Sequence, residues 1–369
     1  MLIAARILVA VAGAGLVFAT LASAIRTLIL PRAVPARFGR VVFVLVRRVF
    51  ELRIGRDADY ARRDAFMAYY APVALLALLA AWMLAVLVAY VALFWAAAAR
   101  GLPDAYVLSG SSMFTLGFER PADLLSLSLS FTESAIGLLL LALLITYLPS
   151  IYQAFSRREA VVAMLEVRAG SPPSGVEMLR RFWRLRRMDH LHELWETLET
   201  WFIELEETHT SFPVLNFFRS PQPDHSWVTA AGAVLDAASL LLAAVDVEHD
   251  AATDICIRAG YLAMRRICDF YGIPYDRDPT PDHPIAVTRE EFDEAVARLA
   301  EQGLPLKPDP EQAWRNFAGW RVNYDQPLLA LVALTNAPYA PWSSDRGLKS
   351  YSPHLFKFRI RVRDLAPPT

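Results

Sequence analysis

The chain has 369 residues, 55% of them hydrophobic and only 20% charged, with a formal net charge of −1 and two cysteines. Its mean hydropathy is positive, a balance that argues against a soluble protein and for the membrane. The near-neutral total hides an uneven placement: arginines crowd the stretch from Arg26 to Arg63, and carboxylates the stretch from Glu193 to Glu207.

The first apolar run lies between Arg6 and Arg26. It is long enough for a helix to cross the roughly 30 Å of hydrocarbon that about 20 residues span, so residues 1–31 are assigned to a first transmembrane helix. Gly13 and Gly15 are small residues that let membrane helices approach closely. Nothing strand-like precedes them, which excludes a dinucleotide fingerprint. Ala22-Ser23-Ala24 resembles a signal-peptidase site. Cleavage there would leave Arg26, Arg32, Arg37, Arg40, Arg47, Arg48, Arg53, Arg56, Arg62 and Arg63 outside the cell, and the positive-inside rule favours the opposite placement. Residues 32–71 are therefore a basic cytoplasmic or interfacial segment. Within it Val41 to Phe50 has the mixture of apolar residues and paired arginines that suits an amphipathic helix on an anionic lipid surface, although a topology signal explains the arginines as well.

A second apolar run extends from Pro72 to Arg100 and a third from Glu133 to Arg157. With the basic segment inside, the second span runs outward and the third returns, so the whole C-terminal half is expected in the cytoplasm of a multi-pass inner-membrane protein. Between these spans Pro103 and Asp104 mark a helix start, and a short helix reaching about Phe114 follows. Such a half-helix aims its negative end at whatever lies beyond it. The next residues, Thr115-Leu116-Gly117-Phe118, suit an extended segment offering backbone carbonyls: Gly117 permits torsions that bulkier residues resist, and Thr115 adds a hydroxyl. A plain extracellular turn between two helices is the alternative.

These residues resemble the potassium-channel pore-loop superfamily, specifically its two-transmembrane ion-channel domain. The family's filter reads Thr-x-x-Thr-x-Gly-Tyr-Gly. Here Ser112-Met-Phe-Thr115-Leu-Gly117-Phe118-Glu119 has serine for the first threonine, phenylalanine for tyrosine and glutamate for the second glycine. Pro121 lies near the proline that commonly follows the filter. The segment Glu133 to Ala142 is similar to the family's inner helix, with an acid at its start and Gly137 as a bend point. The likeness covers residues 72–158, about a quarter of the chain. It implies a selectivity filter at Thr115, Leu116, Gly117 and Phe118, a pore helix carrying Ser112, an outer mouth lined by Glu119, and a monovalent permeant cation, K+, with no other cofactor. Glu119 replaces a residue tolerant of left-handed torsions and would place one carboxylate per chain at the mouth, so potassium selectivity stays open. One pore segment cannot enclose a path, which implies a cyclic homotetramer. Gly137 is the expected hinge and Pro149 the expected kink, with a gate around Ile145 to Ile151; Thr146 and Tyr147 face the cavity or, for Tyr147, the interface.

Arg157 to Arg168 continues the inner helix, and the breaker Gly170-Ser-Pro-Pro-Ser-Gly175 completes a linker assigned to residues 159–175. A helical cytosolic domain over 176–336 follows. Its helices are expected from Val176 to Glu207, Trp227 to Val247, Ala251 to Tyr271, Thr288 to Gln302 and Pro310 to Val322. Asp250 is placed as a cap and Thr288 with Glu291 as a capping box. Trp227 to Val245 is apolar enough for a span, but Asp236 at its centre marks a core helix. His192 and Glu196 share a helical face at metal-ligand spacing, yet two ligands make no site, and a solvated charged face explains them. Cys256 and Cys268 would sit roughly 18 Å apart along one helix, too far for a disulfide. In the tail, 337–369, the residues from Phe356 to Arg363 alternate apolar and basic as a strand does; edge protection or a subunit contact accounts for the basic side better than nucleic acid does.

The fold class read from the sequence is mainly α: about three transmembrane helices per chain, a re-entrant pore helix with filter, and an α-helical cytosolic domain. The function read with it is a homotetrameric cation channel, in contact with lipid and not with nucleic acid, under the control of the cytosolic domain. The alternative is a non-conducting scaffold or sensor. No constellation of nucleophile, base or metal ligands points to an enzyme.

Overall fold

A computed structural model describes residues 2–30, 37–54, 60–98, 101–121 and 123–346. Arg32, Arg56, His354 and the alternating tail from Phe356 to Arg363 lie outside the described residues. The described chain is helical throughout: α1 (Leu2–Leu28), α2 (Arg37–Arg53), α3 (Tyr60–Met67), α4 (Tyr70–Ala98), α5 (Leu102–Met113), α6 (Leu124–Ala169), α7 (Gly175–Arg184), α8 (Leu191–Ser211), α9 (Trp227–Ala244), α10 (Ala251–Tyr271), α11 (Arg289–Glu301), α12 (Pro310–Arg321) and α13 (Asp325–Thr335). Contacts divide it into two compact units. The first comprises 1–55 and 69–153, the second 56–68 and 154–369, with the division falling inside α6.

In the first unit α1 and α4 are apolar on every side, the mark of a helix surrounded by protein core or lipid. They pack on each other along their length. A Cβ on Gly13 would come within 2.9 Å of the Ala89 carbonyl, so the small residue read from the sequence does permit close approach; Gly15 faces open space. Trp82 is fully buried and donates its indole N–H to Ser23 Oγ at 3.2 Å. Leu78, Val86, Phe94, Leu108 and Leu140 complete this core. Its outer surface is also apolar, with Ile7, Leu8, Phe18, Leu84, Leu139 and Ile145 all exposed. Lipid is as apolar as these side chains, so the unit is held by tight packing and buried hydrogen bonds more than by the hydrophobic effect. The chain thus has a multi-span helical membrane region. On α2 the residues turned inward are Gly39, Val44 and Arg47, the last paired with Glu51 at 2.8 Å; Val41, Leu45, Val49 and Leu52 face outward beside Arg48 and Arg53.

The second unit surrounds α9. Among the described residues four helical segments are long and apolar enough to cross a membrane, and α9 is one of them, but 94% of its apolar window is buried in protein against 22%, 39% and 28% for the other three. Asp236 explains the difference. Its carboxylate accepts from Tyr324 Oη at 2.9 Å and from Arg321 Nη1; Arg321 Nε reaches Asp325 at 2.8 Å and its Nη2 reaches the Trp342 carbonyl at 2.6 Å. Burial opposes the Arg321 charge, but Asp236 and Asp325 outweigh it and raise the pKa of the guanidinium. A charge satisfied by partners on two other helices specifies a protein environment, since buried charge is tolerated only when paired. Around this network Trp195, Phe202, Phe292, Phe317 and Tyr324 are fully buried. Cys256 and Cys268 are free thiols in the same core. The expected caps form: Asp250 accepts from the Ala252 N–H, and Thr288 and Glu291 make a reciprocal capping box.

Four expectations are corrected. The inner helix begins at Leu124 and not at Glu133, so Glu133 lies inside it. The inner helix continues past Arg157 as expected and breaks after Ala169, so the start of the linker assigned to 159–175 moves to the residues that follow Ala169. The single helix expected from Val176 to Glu207 is two, because Arg186 takes a left-handed φ of 54° and ends α7. Helices α3 and α13 were not anticipated: α3 is short and rich in charge, and α13 is only 11 residues long.

Candidate functional site

The candidate site is built where α5 ends. Pro103 occupies the first turn of α5 with Asp104 beside it, so the missing proline N–H leaves no orphan donor and the acid meets the positive end of the helix. α5 packs against α4. Three contacts fix it against α6. The Ser109 hydroxyl, fully buried, lies 2.6 Å from Glu133 Oε1 and 3.2 Å from the Leu87 carbonyl. Ser134 donates to the Ser112 carbonyl at 2.7 Å. Finally, the Met113 carbonyl sits where a Cβ on Gly137 would be, 2.7 Å from it.

Beyond Met113 the helix closes on itself: the N–H groups of Phe114, Thr115 and Leu116 bond to the carbonyls of Gly110, Ser112 and Ser111 at 3.2, 3.1 and 2.9 Å. The chain then continues through Gly117 and Phe118 without regular secondary structure. Thr115 has φ 54° and Gly117 φ 73°, while Leu116 and Phe118 do not share the positive sign. The Thr115 torsion belongs to the turn that ends α5, in which the Leu116 N–H returns to the Ser111 carbonyl. For Gly117 these torsions cost little. For β-branched Thr115 they are a genuine outlier, costing about 1–3 kcal/mol. Phe114, Leu116 and Phe118 present 53%, 61% and 64% of their surface to the outside. Thr115 Oγ1 donates to the Phe114 carbonyl at 2.7 Å, which leaves its oxygen lone pairs as acceptors. The Glu119 N–H bonds to Ser111 Oγ at 3.3 Å and holds the outgoing chain beside α5.

Ser112 is thus a buried register point. Gly137, the anticipated hinge, lies in a continuous helix and is a contact glycine against the end of α5. α6 remains helical through Pro149. Glu133, read from the sequence as the first residue of a helix, is instead wholly buried behind α5, and its Oε2 has no partner among the described residues. The signal that marks it in the sequence is an acid in an apolar run, which by default indicates function.

The second unit carries its own polar junction. Arg158, on α6, donates to the Leu215 and Phe218 carbonyls at 2.9 Å each and meets His209 Nε2 at 3.3 Å. Arg219, next along that loop, reaches Asp64 on α3 at 3.3 Å and the Asn336 carbonyl at 2.9 Å. One short stretch, 213–219, therefore grips both α6 and the segment that leads into α4. His192 is held by Asp250 at 3.0 Å and Glu196 at 3.5 Å, an ion-pair network on an exposed face. No family model, curated protein or solved structure matches the chain.

Proposed function

We propose that the protein is a homotetrameric cation channel in which Thr115, Leu116, Gly117 and Phe118 line the narrow path, Glu119 attracts ions at the mouth and α6 gates. The observation that carries this reading is the half-helix α5 between two apolar helices, ending in an exposed four-residue segment whose φ alternates in sign. The N–H groups of Thr115 and Leu116 are bonded back to α5, and the exposed Thr115 oxygen is the group this segment offers outward. Irregular backbone at membrane depth must face protein or water, and around a fourfold axis it faces both. The ion is K+ or another monovalent cation, coordinated by oxygens that replace its water. The second unit, cytoplasmic in this topology, acts on the gate through α6. The junction at Arg158 and Arg219 supports that link, since it joins one loop to α6 and to α3.

The test is current through the purified full-length protein in planar bilayers, under opposed potassium and sodium gradients, with Gly117→Val beside it. Reversal at a cation equilibrium potential is expected, and its loss in the variant without loss of the tetrameric mass. Normal current from Gly117→Val would sink the assignment. A monomeric or dimeric particle with no current would favour a scaffold with a structural loop.

A further inference from the structure

A cavity of about 360 Å³ opens between the end of α6, α7 and the start of α8, all within the second unit. That is the small end of the range for ligand cavities, about 300–1,000 Å³. Met164, Phe182, Leu185 and Leu194 give it apolar walls, and Arg168 and Arg187 bring positive charge to its edge. Glu193 is the one carboxylate among its lining residues.

The lining cations differ in what they already do. Arg181 is engaged: its Nε meets Glu177 at 2.7 Å and its Nη1 donates to the Val167 carbonyl at 2.5 Å, tying α7 to the end of α6. Among the described residues Arg168 makes only a 3.3 Å bond back to the Met164 carbonyl of its own helix, leaving most of its donors unused there. Arg187 is exposed and its guanidinium makes no hydrogen bond among the described residues. His190 lies 3.6 Å from Glu193 and 3.7 Å from Asp189. Leu185 and Val167 expose 63% and 71% of their surface at the rim, so apolar surface adjoins unpaired guanidinium. Guanidinium forks match phosphate oxygens in pairs, and the apolar wall matches a planar or aliphatic body on the same molecule.

The geometry points to a binding site for a soluble organic phosphate, of the nucleoside-phosphate class, with Arg168 and Arg187 on the phosphate and Phe182 and Leu185 on the body. Binding itself is independent of the channel reading. Its consequence rests on that reading: Arg168 belongs to α6, so occupancy would bias the gating helix directly.

The experiment is isothermal titration of ADP, and separately of inorganic pyrophosphate, into the detergent-purified full-length protein. ADP is expected to bind more tightly than about 1 mM, and more tightly than pyrophosphate because the body adds contacts. Arg187→Glu and Arg168→Gln should each weaken ADP at least about tenfold, with thermal melting unchanged. Arg184→Glu, in the same basic run but outside the cavity, should leave ADP affinity within about twofold. The inference is overturned if ADP gives no binding heat, if only phosphatidic acid in mixed micelles binds, or if Arg184→Glu weakens ADP as much as Arg187→Glu does, the mark of a diffuse basic surface. Specific ADP binding by a monomeric or dimeric protein that passes no current would count against the channel and leave this site standing.

Discussion

Thr115 and Gly137 show how single residues set the geometry of the loop. Thr115 stands in a conformation its β-branched side chain disfavours, and a local outlier of this kind persists only where surrounding structure determines it. What determines it here is the anchored end of α5, whose last carbonyl occupies the space left by the missing Cβ of Gly137. Alanine at 137 would gain about 1 kcal/mol of helix propensity. Against this stands an overpacking cost of about 1–3 kcal/mol, and the atom it strikes is backbone, which moves only if α5 moves. The clash therefore wins. Gly137→Ala should lower the melting temperature in detergent and, on the channel reading, cut the current, because Thr115 shifts with α5. Gly15→Ala, which opens onto empty space, should melt at the wild-type temperature or slightly above. A Gly137→Ala protein as stable as wild type would show that the contact does not hold α5.

At the scale of elements, α8 is joined to α6 by one buried ring. His209 is fully buried, its Nδ1 donating to the Leu205 carbonyl at 2.9 Å and its Nε2 facing Arg158, which can only donate. The ring must be neutral there. Burial first, and the Arg158 charge second, push its pKa well below the ordinary 6.5. In the unfolded chain the same ring binds a proton near the ordinary value. Below that pH the unfolded state holds more protons, and stability falls as pH falls, by up to about 1.4 kcal/mol per pH unit from this group. His209→Gln, whose amide can accept from Arg158, should flatten the dependence of melting temperature on pH between about pH 6.5 and pH 5. A slope identical to wild type would mean that His209 is protonated in the folded protein. None of this was legible in the sequence, where His209 follows Glu204, Glu206 and Glu207 and reads as part of a charged, solvated face; it is buried instead, and its role depends on a partner 51 residues away. The long apolar helices and the caps at Asp250 and Thr288 were legible, because periodicity and capping are local. The α7–α8 break was not: its cause is a left-handed Arg186, a residue type that gives no turn signal. Glu133 shows the same limit, since the acid was visible but the Ser109 that meets it was not.

At the scale of the whole molecule, the exposed apolar faces of α1, α4 and α6 and the outward loop after α5 are surfaces that a single chain leaves uncovered. Lipid can cover the first kind. On the channel reading it cannot cover the second, because non-helical backbone in hydrocarbon leaves N–H and C=O groups unpaired at several kcal/mol each. Copies of the chain around an axis would cover it while keeping a wet centre, and would also bring one Glu119 from each copy to the same mouth. Carboxylates gathered there raise the local cation concentration through a field that salt screens. At about 0.01 M ionic strength the screening length is about 30 Å, wide enough to draw ions from beyond the mouth; at about 1 M it is about 3 Å, too short for this. On the channel reading, Glu119→Gln should therefore reduce single-channel conductance several-fold in dilute salt and leave it near the wild-type value in concentrated salt, with the reversal potential unchanged. The convergence separates a field effect from a blocked or misfolded loop, which would lower conductance in every salt. Equal conductance at all salt concentrations would remove Glu119 from the mouth, and with it the fourfold arrangement of this loop.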